Sequence, residues 1–354
     1  MNDVRNERSV VSARVPTTAD ADGLGEPLAA PVPVPASFGS RLIMVLLSIT
    51  VTVLATYLVL AFGWFGDLVA LGMPVVLALL AVVVVLVVVT RPAWLPVPVT
   101  AVLVTGTVLS GLAVVGPRWP QRTPPPVRTV QLVAVNLQFD SLDAAGGVAS
   151  AVAEGADVLV ISELTAATDA MLRAAYPQHV VTDDLLRDGK FGQGVYSTLP
   201  LTRLPPPVGA TPQLLRVAVG GADPFVLLAV HLPRPTFADP APTEMIGFGG
   251  LRAFAFELDR AADDDATRGA VVIAGDLNLS DRTSGYRRLS DGRVDAMRAG
   301  WAGSTYDGSF SWSLLLLRID HVLVPHNWCA ADSRTFSLTG SDHHGVATSI
   351  GPCR

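Results

Sequence analysis

Six short apolar runs in this 354-residue chain each end on, or open from, a residue whose side chain can do chemistry. Asn136 ends Val133-Ala134-Val135, Glu163 follows Val158-Leu159-Val160-Ile161 by way of Ser162, and His231 ends Leu227-Leu228-Ala229-Val230. Farther on, Gly275-Asp276-Leu277-Asn278 comes soon after Ala270-Val271-Val272-Ile273. Arg318-Ile319-Asp320-His321 opens into Val322-Leu323-Val324, and Ser341-Asp342-His343-His344 opens into Gly345-Val346-Ala347. Carboxylates, amides and imidazoles at strand ends make an oxygen-rich, half-exposed rim, which suits a hard divalent cation and a phosphate.

Hydrolysis of a phosphate ester needs a cation to neutralise the phosphoryl oxygens, an in-line water and a donor for the leaving oxygen. Glu163 is the first candidate for a metal ligand, since a hard carboxylate suits Mg2+ or Mn2+. Asn136 offers a neutral carbonyl to the metal or an amide to phosphate, or simply starts a turn. Asp276 and Asn278 lie two apart, so in an extended segment they point the same way. Asp276 then orients or deprotonates water while Asn278 donates to a phosphate oxygen, with an Asx turn as the plainer role of Asn278. His343 is the candidate general acid–base, and Asp320 fixes its tautomer and supports the imidazolium. His321 and His344 fall on the opposite strand face and read as packing residues. Gln193, Tyr196 and Ser197 share a strand, where packing is the better reading of Ser197.

Taken in order, these residues resemble the endonuclease/exonuclease/phosphatase superfamily, the metal-dependent phosphoesterases that include DNase I-like nucleases, sphingomyelinases and inositol-phosphate phosphatases. The resemblance runs from about residue 127 to 351 and rests on the joint order, since G-D-x-N alone occurs by chance in many chains. It implies an α/β fold, a four-layer sandwich of two mixed β-sheets flanked by helices, with the site at one end. It also implies that Asp342 binds the metal or a second one, alongside Asn136 and Glu163. His231 would stabilise charge on the five-coordinate phosphoryl group, within a catalytic set of His231, Asp276, Asn278, Asp320 and His343. On its own, a strand-end histidine such as His231 is more often structural. Trp312 lies in a segment that often lines the family's cleft. The chain departs from the family pattern at Ser162, where Gln usually precedes the acid. Periodicity alone supports only an α/β domain over residues 129–354, with helices near 144–154, 166–175 and 249–264.

The first third is a different material. The chain is 50% hydrophobic and only 16% charged, greasy for a soluble protein of this length. Three uncharged stretches hold most of the excess, within 42–62, 68–89 and 94–115. Each is roughly 20 residues, enough to cross a ~30 Å hydrocarbon core as a helix, and none leaves a polar face for water. The pattern predicts three transmembrane helices within residues 40–116, after a disordered cytoplasmic tail over 1–39. A cleaved signal peptide fits poorly, because the first stretch starts late and two more follow. Arg5, Arg8, Arg14 and Arg41 precede the first stretch and Arg91 lies between the second and third. The positive-inside rule then puts the N-terminus of this multi-pass chain in the cytoplasm and the catalytic domain outside. Trp64, Trp94 and Trp119 fit interfacial anchors. The proline-rich residues 117–128 read as a semi-rigid tether that keeps the domain near the bilayer. Cys329 and Cys353 stand apart from the proposed ligands and form either a disulfide, which an extracytoplasmic setting permits, or two thiols.

From Pro117 onward 20 Arg plus Lys face 25 Asp plus Glu, with no basic run. Nucleic acid is therefore the weaker expectation as a partner, because basic neutralisation of phosphates supplies most DNA affinity. Lys190 is the only Lys, beside 24 Arg, which reads as codon bias. An anchor and a stiff tether favour a substrate held in the membrane lipid bilayer, where they raise the local concentration of the site. Residues 241–250 form either an apolar lip for a lipid tail or an ordinary packed loop. The architecture also resembles a branch of membrane-anchored bacterial members associated with resistance to glycopeptide antibiotics such as teicoplanin. That likeness implies a lipid-linked phosphate or pyrophosphate substrate. The alternatives are an extracytoplasmic nuclease or phosphodiesterase, and an inactive binding or sensor protein, against which the complete residue set argues. No protein partner is inferable.

Overall fold

Long uncharged stretches near the start of the chain become helices, and short apolar runs beyond them become strands. The computed structural model describes residues 44, 64–90, 97–121, 123–182, 190–207, 214–236, 245–300, 303–308 and 313–354. Two apolar helices come first, α1 (Trp64–Thr90) and α2 (Val97–Val115). There follow β1 (Val130–Asn136), α3 (Ala144–Ala153), β2 (Val158–Ser162), α4 (Ala166–Ala175), β3 (Gln178–Val181), β4 (Gln193–Ser197), β5 (Leu201–Arg203), β6 (Leu214–Val219) and β7 (Phe225–His231). The second half holds β8 (Arg234–Thr236), β9 (Met245–Gly247), α5 (Phe248–Ala266), β10 (Ala270–Asp276), α6 (Ser284–Ser290), β11 (Arg293–Asp295), β12 (Asp320–Pro325), β13 (Trp328–Ser337) and β14 (His344–Pro352).

In β2 every residue is buried, as are the last five of β1. Strands covered on both faces read as continuous apolar runs, where one-sided strands would alternate. One six-stranded sheet has the order β13-β14-β1-β2-β4-β3 and the other β11-β12-β10-β7-β6-β5, while β8 and β9 pair separately. Both large sheets are mixed, with β1–β2 and β7–β10 parallel and their outer neighbours antiparallel. Leu132, Val160, Leu227, Val272, Val322 and Val346 fill the layer between the sheets. Leu251, Ala255 and Leu258 of α5 cover the second sheet, and Val148, Ala151 and Leu172 of α3 and α4 cover the first. The result is helix, sheet, sheet, helix, as the family resemblance implies. The three helices expected from periodicity appear as α3, α4 and α5. Local chemistry starts two of them: Asp143 caps α3 by accepting from Gly146 N at 2.9 Å, and Thr165 with Thr168 makes a capping box on α4.

The three expected membrane spans are not all found. The first lies outside the described residues, apart from Met44. The second is α1, whose segment Gly66–Val87 is 22 residues long, enough at 1.5 Å per residue to cross a ~30 Å core. The third stretch contains α2, a helix of 19 residues with Pro98 in its first turn, and residues 94–96 lie outside the described ones. Among the described residues, one helix is long and apolar enough to cross a membrane, in place of three.

α1 and α2 pack together through Val76, Leu80, Val83 and Leu103. Their other faces expose apolar side chains, including Val75, Leu79, Val82 and Val85 on α1 and Val104, Val108 and Leu112 on α2. The start of α1 and the end of α2 both rest on the catalytic-type domain, so the two helices run in opposite directions. Asp67 accepts from the backbone N and the Oγ of Ser284, and Arg282 Nε donates to Ala70 O at 3.1 Å. Arg118, just after α2, donates to Asp281 at 3.1 Å and to Leu316 O. The tether is itself fastened, with Gln121 N on Arg298 O at 2.6 Å, Thr123 Oγ1 on Ala330 O at 2.9 Å and Val127 N on Pro352 O at 2.9 Å.

Asp281 sits in the centre of this junction. Burial alone would raise its pKa, but Arg318, Arg118 and Arg282 outweigh burial and hold the carboxyl at about 2. A folded pKa below the unfolded value means the unfolded chain takes up the proton first. The stabilisation, about 2 kcal/mol by linkage, is complete above about pH 4 and is lost as pH falls through about 2. Asp281→Asn is expected to flatten that acid limb in urea melts collected from pH 5 downward. An unchanged limb would show that the arginine cluster does not couple to folding.

Cys329 in β13 and Cys353 beyond β14 form a disulfide, which decides between the two alternatives. It closes a loop of 24 residues, for which chain entropy gives about 3 kcal/mol. Reduction, or Cys353→Ser, is expected to lower Tm by roughly 6–12 °C, measured by circular dichroism. A shift under 2 °C would mean that β13–β14 pairing already holds the terminus.

Candidate active site

Strand register gathers the polar ends. Asp276, the last residue of β10, pairs with His231 of β7 on one side and with Asp320 of β12 on the other. In the facing sheet Asn136 pairs with Ser162, which places Glu163 one step past the end of β2. His343 lies one residue before β14, the other neighbour of β1. All these positions fall at the same end of the sandwich. Gly275 makes the approach possible: its φ is 129°, and a Cβ there would meet Val230 O at 2.2 Å. Glu163 and Asn278 take φ of 57° and 48°, a conformation that non-glycine residues hold only where the surroundings enforce it.

Asp276 Oδ2 is the hub. Asn136 Nδ2 donates to it at 3.1 Å and to Glu163 Oε1 at 3.1 Å, tying the two carboxylates together. Glu163 Oε2 accepts from Phe139 N at 3.0 Å. His231 Nε2 stands 3.8 Å from both Glu163 Oε1 and Asp276 Oδ2, and His343 Nε2 stands 3.8 Å from Asp276 Oδ2. Those separations exceed hydrogen-bond length. The Asn136 carbonyl is turned away, accepting from Gln138 N at 3.0 Å. The amide nitrogen of Asn136 is the atom turned to the two carboxylates. Asn278 is not extended as expected. The strand ends at Asp276, and an Asx turn from Asn278 N to Asp276 Oδ1 at 2.9 Å holds the pair, while Asn278 Nδ2 donates to Leu232 O at 2.8 Å.

His343 Nδ1 bonds Asp320 Oδ2 at 2.9 Å, and this leaves Nε2 toward Asp276. Thr305 Oγ1 accepts from Ile319 N and Asp320 N, which anchors the dyad's carboxylate from behind. Burial pulls the His343 pKa down, but the charge and hydrogen bond of Asp320, with Asp276 and Asp342, win and push it up to about 10. Burial, with the Asp320 charge, pushes Asp276 up to about 7 against the pull of His343. His231 goes the other way: burial lowers its pKa more than Glu163 raises it, so the ring is neutral. His321 Nε2 donates to Leu279 O at 2.8 Å under Tyr286, and His344 bonds Asp307. Both are packing residues, as is Ser197, which donates to Asp157 O at 2.6 Å.

A cleft of about 390 Å3 opens on Glu163, His231, Asp276, Asn278, Asp342 and His343. Asn136 and Asp320, each 1% exposed, stand behind it. The donor set fits a divalent cation. Glu163, Asp276 and Asp342 face one cleft, burial and like charge raise Asp276, and Asp320 Oδ1 and His231 Nδ1 are buried without a hydrogen-bond partner. The tightest grouping of possible ligand atoms among the described residues is Asp276, Asp320 and His343, within 4.8 Å of one another. Asp320 and His343 are already bonded to each other, however, whereas Glu163, Asp276 and Asp342 open on the cleft and could hold a cation there. Oxygen ligands of this kind suit Mg2+ or Mn2+.

Sequence reasoning missed the rest of the lining. Leu71, Phe139, Phe191, Tyr306, Leu317 and Ile319 supply apolar walls, and Lys190 and Arg234 supply positive charge. The single Lys of the chain was a signal that composition alone explained away. Trp312 and residues 241–244 lie outside the described residues, and Met245–Gly247 forms β9.

Several solved structures are similar to this chain. An endonuclease/exonuclease/phosphatase from Beutenbergia cavernae DSM 12333 is 21% identical, with 64% of this chain and 72% of that chain covered and a TM-score of 0.49. Truncated Caenorhabditis elegans TDP2 is 16% identical over 63% of this chain and 98% of that one, with a TM-score of 0.48. Sphingomyelinase C from Streptomyces griseocarneus is 17% identical over 63% and 99%, with a TM-score of 0.45. No curated protein matches the chain in sequence. The model of the Endonuclease/Exonuclease/phosphatase family matches residues 133–343, a span that contains all eight candidate residues, and the chain belongs to that family.

Proposed function

We propose that the chain is a membrane-anchored phosphohydrolase that uses Mg2+ or Mn2+ to cleave a lipid-linked phosphate or pyrophosphate of the cell envelope. The observation that carries this reading is where the cleft lies. The apolar helix α1 passes its edge, with Leu71 in the cleft lining, and Leu71 lies within the helix's 22-residue apolar segment, Gly66–Val87. With α1 and α2 in a bilayer, their exposed apolar faces meet lipid and the site sits at the membrane surface. With the apolar stretch at 42–62 as a further crossing, the arginines before and between the stretches favour an N-terminus inside and the domain outside, and the disulfide suits that compartment. A link to glycopeptide resistance would follow from such a substrate.

A bound cation supplies charge neutralisation at the phosphoryl oxygens. Asp276 orients the water and takes its proton as the new P–O bond forms. His343 passes its Nε2 proton to the leaving oxygen as the old P–O bond breaks, with Asp320 holding the ring. Neutral His231 and Asn278 offer hydrogen bonds to the phosphoryl group, and Lys190 and Arg234 favour an anion at the rim. That rim also favours the second reading, a nuclease. Phosphate release from undecaprenyl pyrophosphate and cleavage of duplex DNA, tested side by side on the detergent-purified full-length protein, separate the two. Mg2+-dependent release from the lipid with intact DNA is expected. DNA cleavage with the lipid untouched would make the helices mere display for a nuclease.

A further inference from the structure

We infer that the first turns of α1 form one wall of a hydrocarbon subsite at the catalytic cleft, so that this helix selects phosphate esters carrying a long apolar chain. The inference rests on the lipid-phosphate reading above and says which residues impose it. Leu71, 8% exposed, packs with Leu317 and Ile319, and Tyr306 and Leu315 lie against the same cluster. Leu71, Tyr306, Leu317 and Ile319 all line the cleft that holds Glu163 and His343. Ile319 is the chain neighbour of Asp320, so apolar surface begins one residue from the dyad.

Two distant pieces of chain make this wall, and one buried arginine clamps them. Arg282, 2% exposed, donates to Ala70 O of α1 at 3.1 Å and to Leu315 O at 2.6 Å. Asp67, one turn earlier in α1, is held by Ser284. The helix is thus fixed to the cleft at the residue before Leu71, which sets the position of that side chain. Beyond the cleft the wall continues. Leu71, Val75, Leu79 and Val82 follow at intervals of four, four and three, which places them on one stripe of α1. Val75, Leu79 and Val82 are exposed. An apolar chain leaving the cleft past Leu71 therefore meets a continuous apolar track leading along α1, where a short or charged leaving group gains nothing.

Dimethylallyl and farnesyl pyrophosphate share the reacting group and differ in chain length, so their kcat/KM ratio reads the subsite. The full-length protein in detergent micelles with Mg2+ is expected to prefer the farnesyl ester. Leu71→Asp is expected to lower the farnesyl-to-dimethylallyl ratio about tenfold, mainly through KM, and Leu71→Met to restore it. Should Leu71→Asp fold poorly by circular dichroism, Leu71→Ala tests the same wall without charge, with a smaller fall of the same sign. Wild-type turnover of both esters at one rate, or a ratio unmoved in these variants, overturns the inference while leaving a phosphohydrolase. Turnover of neither ester overturns the lipid-phosphate reading and the subsite with it.

Discussion

Replacing His343 by Gln is expected to cut turnover by about 10³-fold, near the middle of the range for a lost general acid, with the fold retained. His343 Nε2 stands 3.8 Å from Asp276 Oδ2, and Asp320 at 2.9 Å with the nearby Asp276 and Asp342 keeps the ring's pKa raised to about 10. A general acid works while protonated. Wild-type activity should therefore persist through neutral pH and decline as pH rises through the His343 pKa. A cation bound beside Asp276 adds positive charge and moves that decline to lower pH. The variant should lose the alkaline limb along with the rate, which a merely structural role would not cause. Activity within tenfold of wild type, with the limb intact, would assign the leaving-group proton to another donor.

Glu163→Gln is expected to be comparably damaging by a different route. It removes one charge from the cation's donor set and keeps the shape, and a bound cation contributes several kcal/mol of charge stabilisation, so kcat should fall by about 10³. Binding provides a readout independent of rate. Mg2+ should raise the wild-type Tm, because a ligand of the folded state stabilises it, and should raise that of Glu163→Gln little or not at all. Without Mg2+ the two proteins should melt alike. A full Mg2+ response in the variant would move the cation to Asp276, Asp320 and His343, the closest grouping of ligand atoms among the described residues.

The candidate site was legible because its residues end continuous apolar runs. A buried strand announces itself over a few positions, and the polar residue that terminates it is conspicuous. The sequence did not reveal the register that sets Asp276 between His231 and Asp320, since pairing is a long-range property. It left Asn136 with two roles, because the direction of an amide depends on what surrounds it. Asn278 was expected in an extended segment, but positive φ and an Asx turn took over at the strand end. The contacts of Asp67 and Arg282 cross more than 200 positions of sequence, beyond the reach of a local pattern. Leu71 was hidden by its own hydrophobicity, as one apolar residue in a stretch where nearly all are apolar.

The most direct test is phosphate-ester hydrolysis by the full-length protein before chelation, after chelation, and after Mg2+ is restored. The site predicts turnover that disappears in chelator and returns with Mg2+. Turnover that continues undiminished in chelator would contradict a cation on Glu163 and, with it, the mechanism built on this cleft.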